Sequence, residues 1–165
     1  MRLISSCRAQ GIVPDANLLL VYAIGRYSPQ AVARFKRTQA YSEKDFALLV
    51  SLFGYFPHIV TTPNILTEVC NLAAPLNRQV KNSLFQAFRM YILDLDEKYI
   101  SSKEGGTDEM FNRFGLTDSV IRKLAGQGYL ILTQDLPLYL ELERQRIPVI
   151  NFNHVRGMAW RGSPQ

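Results

Sequence analysis

The chain has 165 residues and a mass of 18.8 kDa, enough for one domain and too little for two comfortable ones. Hydrophobic residues make up 47% and charged residues 20%, an ordinary globular balance that excludes a disordered tail, a fibre and a repeat array. The net charge is +5, from 19 Lys and Arg against 14 Asp and Glu. Solubility alone accounts for that excess. If four of the acids meet in one cleft, however, the remaining surface carries 19 cations against about ten anions, which suits a polyanionic substrate.

Cys7 and Cys70 are too few for a disulfide framework and lack C-x-x-C spacing. The longest apolar run, Ala47 to Phe56, is interrupted by Ser51 and Gly54. It reads as a core helix, because a bilayer crossing takes about 20 apolar residues. Between Arg2 and Arg8 there is no stretch long enough for a signal peptide. A reduced, cytoplasmic setting without membrane contact is the expectation.

In chain order, Gly11-Ile12-Val13 predicts a short strand entering Pro14-Asp15, followed by an apolar run from Leu18 to Ile24. Pro14 lacks a ladder donor, so it must end its strand. Ser28-Pro29 predicts a helix with Ala31, Val32 and Phe35 on its apolar side. Ser42 with Asp45 makes a capping-box start for a helix through Leu52. His58 to Thr61 predicts a second strand, and Thr62-Pro63 caps a helix to about Ala73, stopped before Pro75. Val80, Leu84, Phe88 and Tyr91 mark one side of a helix from Arg78 to about Ile92.

The stretch from Asp94 to Gly106 is the least readable and has room for a short strand. Thr107 then caps a helix with Asp108 and Glu109 in its first turn, ended by Gly115. Thr117-Asp118 starts another, which stops at Gly126 or Gly128. Tyr129 to Thr133 predicts a strand, Asp135 to Gln145 a helix, and Pro148 to Phe152 a last strand. Strands alternating with helices, several of them apolar throughout, predict an α/β fold: a three-layer α/β/α sandwich around a mostly parallel sheet. Residues 1–152 form its single domain and 153–165 a flexible tail.

In an open parallel sheet the ligand crevice lies beyond the carboxyl ends of the strands. Asp15 directly follows the first strand, and Asp135 comes two residues after Thr133. Topology therefore sets these two acids at the crevice. It allows Glu68, within two turns of the helix leaving the second strand, and leaves Asp118 open. Each acid also has a plainer reading. Asp15 can initiate a turn extended by Asn17, Glu68 can belong to a solvated stripe with Asn64 and Asn71, and Asp118 and Asp135 can serve as helix-start residues.

Ile12-Val13-Pro14-Asp15-Ala16-Asn17 resembles the opening D-x-N motif of PIN-domain ribonucleases. The helix from Asn64 to Leu72 around Glu68 looks like the segment that supplies their second acid. Gly115-Leu116-Thr117-Asp118-Ser119-Val120-Ile121 is similar to the helix start carrying the third. Leu130-Ile131-Leu132-Thr133-Gln134-Asp135 resembles their terminal T-x-D motif. The four motifs stand in order between Ile12 and Phe152; the stretch 94–106 and the tail have no counterpart.

The resemblance implies that Asp15, Glu68, Asp118 and Asp135 hold Mg²⁺ or Mn²⁺, with Asn17 and Thr133 orienting ligands or substrate. Carboxylate oxygens suit those hard cations, and close carboxylates need a cation to stay ionised together. It further implies metal-dependent endonucleolytic cleavage of single-stranded or looped RNA. Small members are often toxins of toxin–antitoxin pairs and often homodimers, so an antitoxin or regulatory protein is an implied partner.

Two alternatives compete. One is a non-catalytic PIN-like module that binds RNA or protein. The other is a metal-dependent phosphotransfer enzyme, but such a site wants a lysine after a late strand. Here the last lysine, Lys123, precedes the Leu130 strand, and Asn17 stands where a second aspartate would. His58 and His154 lack metal-ligand spacing, and no glycine-rich phosphate loop or nucleophile elbow is present. Arg34, Lys36 and Arg37, and Arg78, Lys81 and Arg89, could contact phosphates or simply face water. The tail residues His154, Arg156, Trp160 and Arg161 could stack on a base, but a frayed terminus is favoured.

Overall fold

The computed structural model describes residues 6–161, and the side chains through Ala159. It is an α/β protein with a small parallel sheet. The strands are β1 (Ile12–Pro14), β2 (Val60–Thr61), β3 (Asp96–Glu97), β4 (Leu130–Thr133) and β5 (Val149–Asn151). Among the described residues eight α-helices are bounded: α1 (Ala16–Tyr27), α2 (Glu43–Gly54), α3 (Pro63–Ala73), α4 (Arg78–Ile92), α5 (Ser102–Gly106), α6 (Phe111–Ala125), α7 (Leu136–Arg144) and α8 (Phe152–Arg161).

β1, β4 and β5 pair in parallel in that order, and β2 pairs in parallel with β3. One parallel bridge, Ile12 to Ile59, links the two groups. The spatial order is thus β3-β2-β1-β4-β5. Pro14 explains why the β1–β2 link is a single bridge. The Ile12 N–H donates to the His58 carbonyl at 3.0 Å, so the residue two further on faces the same neighbour, and as a proline it has no N–H to give. As expected, Pro14 ends its strand. Gly11 sits at φ +118°, and a Cβ there would lie 2.7 Å from the same His58 carbonyl oxygen. This close approach requires glycine.

β4 is central, and all four of its residues are buried, which is why it reads as an unbroken apolar run. α1 is buried from Leu18 to Gly25; it is apolar on every side because it packs against α2, α3 and α4. Thr62 caps α3, and Ser42 with Asp45 forms a complete capping box on α2, both as the sequence predicts.

Three expectations are corrected. The segment after Ser28 holds only a 3-10 turn, Pro29–Ala31. The Val32 carbonyl is taken at 2.7 Å by the Thr38 hydroxyl, and turns replace the predicted helix. Thr107 ends a helix instead of starting one. Ser101 and Glu104 form a capping box that starts α5 earlier, and the Thr107 hydroxyl donates to the Glu104 carbonyl at 2.9 Å. Asp108, expected in a first turn, is buried against Arg122 at 2.7 Å and Lys123 at 3.6 Å. Finally, α8 occupies residues read as tail. Phe152 is fully buried, the Asn151 side chain accepts from the Asn153 N–H, and Arg156 binds Asp45 at 2.7 Å. The side chains of Trp160 and Arg161 lie outside the described residues.

Candidate active site at the carboxyl edge of the sheet

β1 leads to β2 on one side of the sheet, while β4 lies on the other side of β1. The crevice of an open parallel sheet forms at that change of direction, beyond the carboxyl ends of the strands. Asp15 and Asp135 leave β1 and β4 there. Pro14 pairs with Leu132, and the Asp15 N–H extends the ladder to the Leu132 carbonyl at 2.9 Å.

The Asp15 carboxylate is buried and carries three hydrogen bonds. Oδ1 accepts from the Leu18 N–H at 2.8 Å, capping α1. Oδ2 accepts from the Thr133 hydroxyl at 2.6 Å and the Gln134 N–H at 2.9 Å. Burial raises its pKa above the ordinary range, the Thr133 hydroxyl opposes that rise, and the Asp135 charge adds to it. A carboxylate offers about four acceptor positions, so one remains for a further partner.

Thr133 also accepts from the Asp135 N–H at 3.0 Å. Its single hydroxyl therefore ties the first acid to the turn carrying the fourth. Asp135 is exposed, and it caps α7 through the Leu138 N–H at 2.8 Å. The plain helix-start reading of Asp135 is thus true, and Asp15, read plainly as a turn initiator, caps a helix instead; both leave their carboxyl groups at the crevice.

Asp118 differs. It follows Gly115, whose φ of 83° and ψ of −173° break α6, a conformation open to glycine alone. As the sequence predicts, one helical segment stops at Gly115 and a second starts beyond this kink, with Asp118 in its first turn. The half-buried Asp118 carboxyl has no hydrogen-bond partner among the described residues. Burial and the charges of Asp15, Glu68 and Asp135 push its pKa up to about 7. Helix-start duty does not explain a carboxyl held in the field of three others.

Glu68 is half-buried on α3 and, with Thr117, lines a cavity of about 400 Å³ that also touches Asn64, Asn71, Tyr99 and Ile100. Asn17 sits half-buried in the first turn of α1, and no hydrogen bond places its side chain among the acids. Among the described residues, no three or more His, Cys, Asp and Glu side chains stand as a ready-made metal ligand set. The donor chemistry still fits a hard cation: the groups that raise the Asp118 pKa are carboxylates, and their mutual repulsion is relieved by positive charge.

Sequence reasoning missed the supports around this edge. The Tyr41 hydroxyl donates to the Gln134 side chain, the Gln134 backbone holds Asp15, and Asn153 donates to the Gln134 carbonyl at 3.3 Å. The Tyr41 phenol is held protonated by burial and by the Asp15 charge. Nothing local to Tyr41 signals a partner 93 residues away.

Replacing Thr133 by valine keeps the shape and removes the hydroxyl. Stability should fall by about 1.5–3 kcal/mol, the worth of a hydrogen bond to a charged group. Thermal melts check it, and an unchanged melting temperature would show that Asp15 does not depend on that bond. No family model matches the chain, and comparison with curated proteins and with solved structures likewise finds no match.

Proposed function

We propose that the protein is a metal-dependent ribonuclease with a PIN-like, three-layer α/β/α fold. In this reading Asp15, Glu68, Asp118 and Asp135 hold Mg²⁺ or Mn²⁺. One observation carries it: Asp118, without a hydrogen bond of its own, lies in the field of three other carboxylates at the carboxyl edge of the parallel sheet. Such a gathering costs stability, and chemistry at the site is the best reason to keep it. The bound cation would neutralise charge developing on a phosphodiester and activate water for attack.

The chain's own residues do the rest. Asp15, fixed by Leu18, Thr133 and Gln134, gives one rigid anchor. Asp135, exposed at the rim, gives a second. Asp118 and Glu68 close the site from α6 and α3, and Thr133 keeps the first pair in register. A homodimer and an antitoxin-like protein partner belong to the same reading and rest on the family resemblance alone.

The test is cleavage of a labelled single-stranded RNA by the purified protein with Mn²⁺. The reading expects fragments that vanish with EDTA. Intact RNA under both conditions would count against catalysis and favour a binding module.

A further inference from the structure

The 400 Å³ cavity beside Glu68 is walled by α3 on one side and by the segment joining β3 to α5 on the other. Its lining is neutral apart from Glu68. Asn64 and Asn71 offer amides, Thr117 a hydroxyl, Ile100 an apolar floor and Tyr99 a ring. The side chains of Asn64, Asn71 and Thr117 make no hydrogen bond among the described residues, so their donors and acceptors are available to a ligand. Tyr99 is 79% exposed, so its ring is open to a ligand. A second hollow, of about 530 Å³, begins at Leu72 and carries Lys36 and Arg37. Both hollows border α3, this second one toward its carboxyl end.

A flat ring and unsatisfied amides lining one groove are what a single unpaired nucleobase needs: stacking for its face and hydrogen bonds for its edge. Paired bases keep both faces and edges occupied within a duplex and cannot enter such a cavity. We propose that this groove takes one unpaired nucleobase of a single-stranded RNA, stacked on Tyr99 and read at its edge by Asn64 and Asn71. It thereby selects single strands for the adjacent acids. The proposal deepens the ribonuclease reading and rests on it for the nature of the ligand, while the binding groove itself does not require catalysis.

The test is fluorescence anisotropy with a 5′-labelled single-stranded RNA and the matching duplex, in the Asp118→Asn background with Mn²⁺ so that the strand stays intact. Tyr99→Ala should weaken single-strand binding about tenfold, the usual worth of one base–aromatic stack. Tyr99→Phe, which keeps the ring, should leave it unchanged, and duplex binding should be the same in all three. Because Tyr99 is exposed, an unaltered melting temperature will show that the fold is intact. Equal single-strand affinity in Tyr99→Ala, equal loss on the duplex, or no single-strand binding at all would each overturn the proposal. Cleavage that persists beside an unaltered Tyr99→Ala affinity ends this proposal and leaves the nuclease standing. A tenfold loss in a protein that never cleaves does the reverse.

Discussion

Asp118→Asn is expected to lower metal-dependent RNA cleavage by at least about a hundredfold, a loss typical of removing a group that orders a metal or its charge. The substitution keeps the side chain's size, so the fold should survive it. In the metal-free protein it should even help at neutral and alkaline pH. The Asp118 pKa stands at about 7 in the folded chain against 3.8 for the free side chain. Between those values the unfolded chain has released the proton that the folded one still binds, so this group removes stability as pH rises from about 4 to 7. Above that window the whole cost is present, and asparagine does not incur it. Thermal melts of both proteins in EDTA at pH 5 and pH 8 should therefore show the variant gaining on the wild type at the higher pH. A variant that cleaves normally, or gains nothing at pH 8, would remove Asp118 from the site.

Arg156→Ala is expected to cost about 3 kcal/mol, because it leaves a buried carboxylate without its countercharge. The guanidinium grips Asp45 at 2.7 and 3.1 Å, the Ala40 carbonyl at 2.8 Å and the Asn153 side chain at 3.2 Å. It also lies over the Tyr41 ring, 4.7 Å from its centroid. The Asp45 side chain is fully buried, and without the arginine it keeps, among the described residues, the Ser42 N–H and hydroxyl, at 2.7 and 2.9 Å. For a chain of this size the melting temperature should drop by roughly 6–12 °C. Arg156→Lys should fall between, since a point charge cannot reproduce the two-pronged grip. If alanine melts with the wild type, α8 is not docked through this pair.

Arg156 marks where sequence reasoning stopped. Its partner is 111 residues away, and the periodicity of a ten-residue helix with glycine inside it is weak, so the segment reads as tail. Ser101-Ser102-Lys103-Glu104 did carry a signal for α5, a serine with glutamate three residues on. Thr107 masked it by offering a second start. By contrast, β1 and β4 were legible with their acids. An apolar run ending in a proline or a threonine before an aspartate fixes both the strand and the crevice end of it. Asp118 was not legible from topology, because its position depends on the backbone turn at Gly115, and only the four-motif resemblance picked it out. The cavity beside Glu68 was hidden because Tyr99 and Ile100 lie in the stretch with no periodic pattern.

Whether Asp15, Glu68, Asp118 and Asp135 hold one cation between them is tested most directly by melting the wild type and Asp118→Asn across a Mn²⁺ titration. A cation bound only by the folded chain stabilises it by about 2.7 kcal/mol at a hundredfold excess over its Kd, or roughly 5–10 °C for a protein of this length. The wild type should show that rise and the variant should lose most of it. A wild-type melting temperature indifferent to Mn²⁺, or an equal rise in both proteins, would contradict a shared cation site.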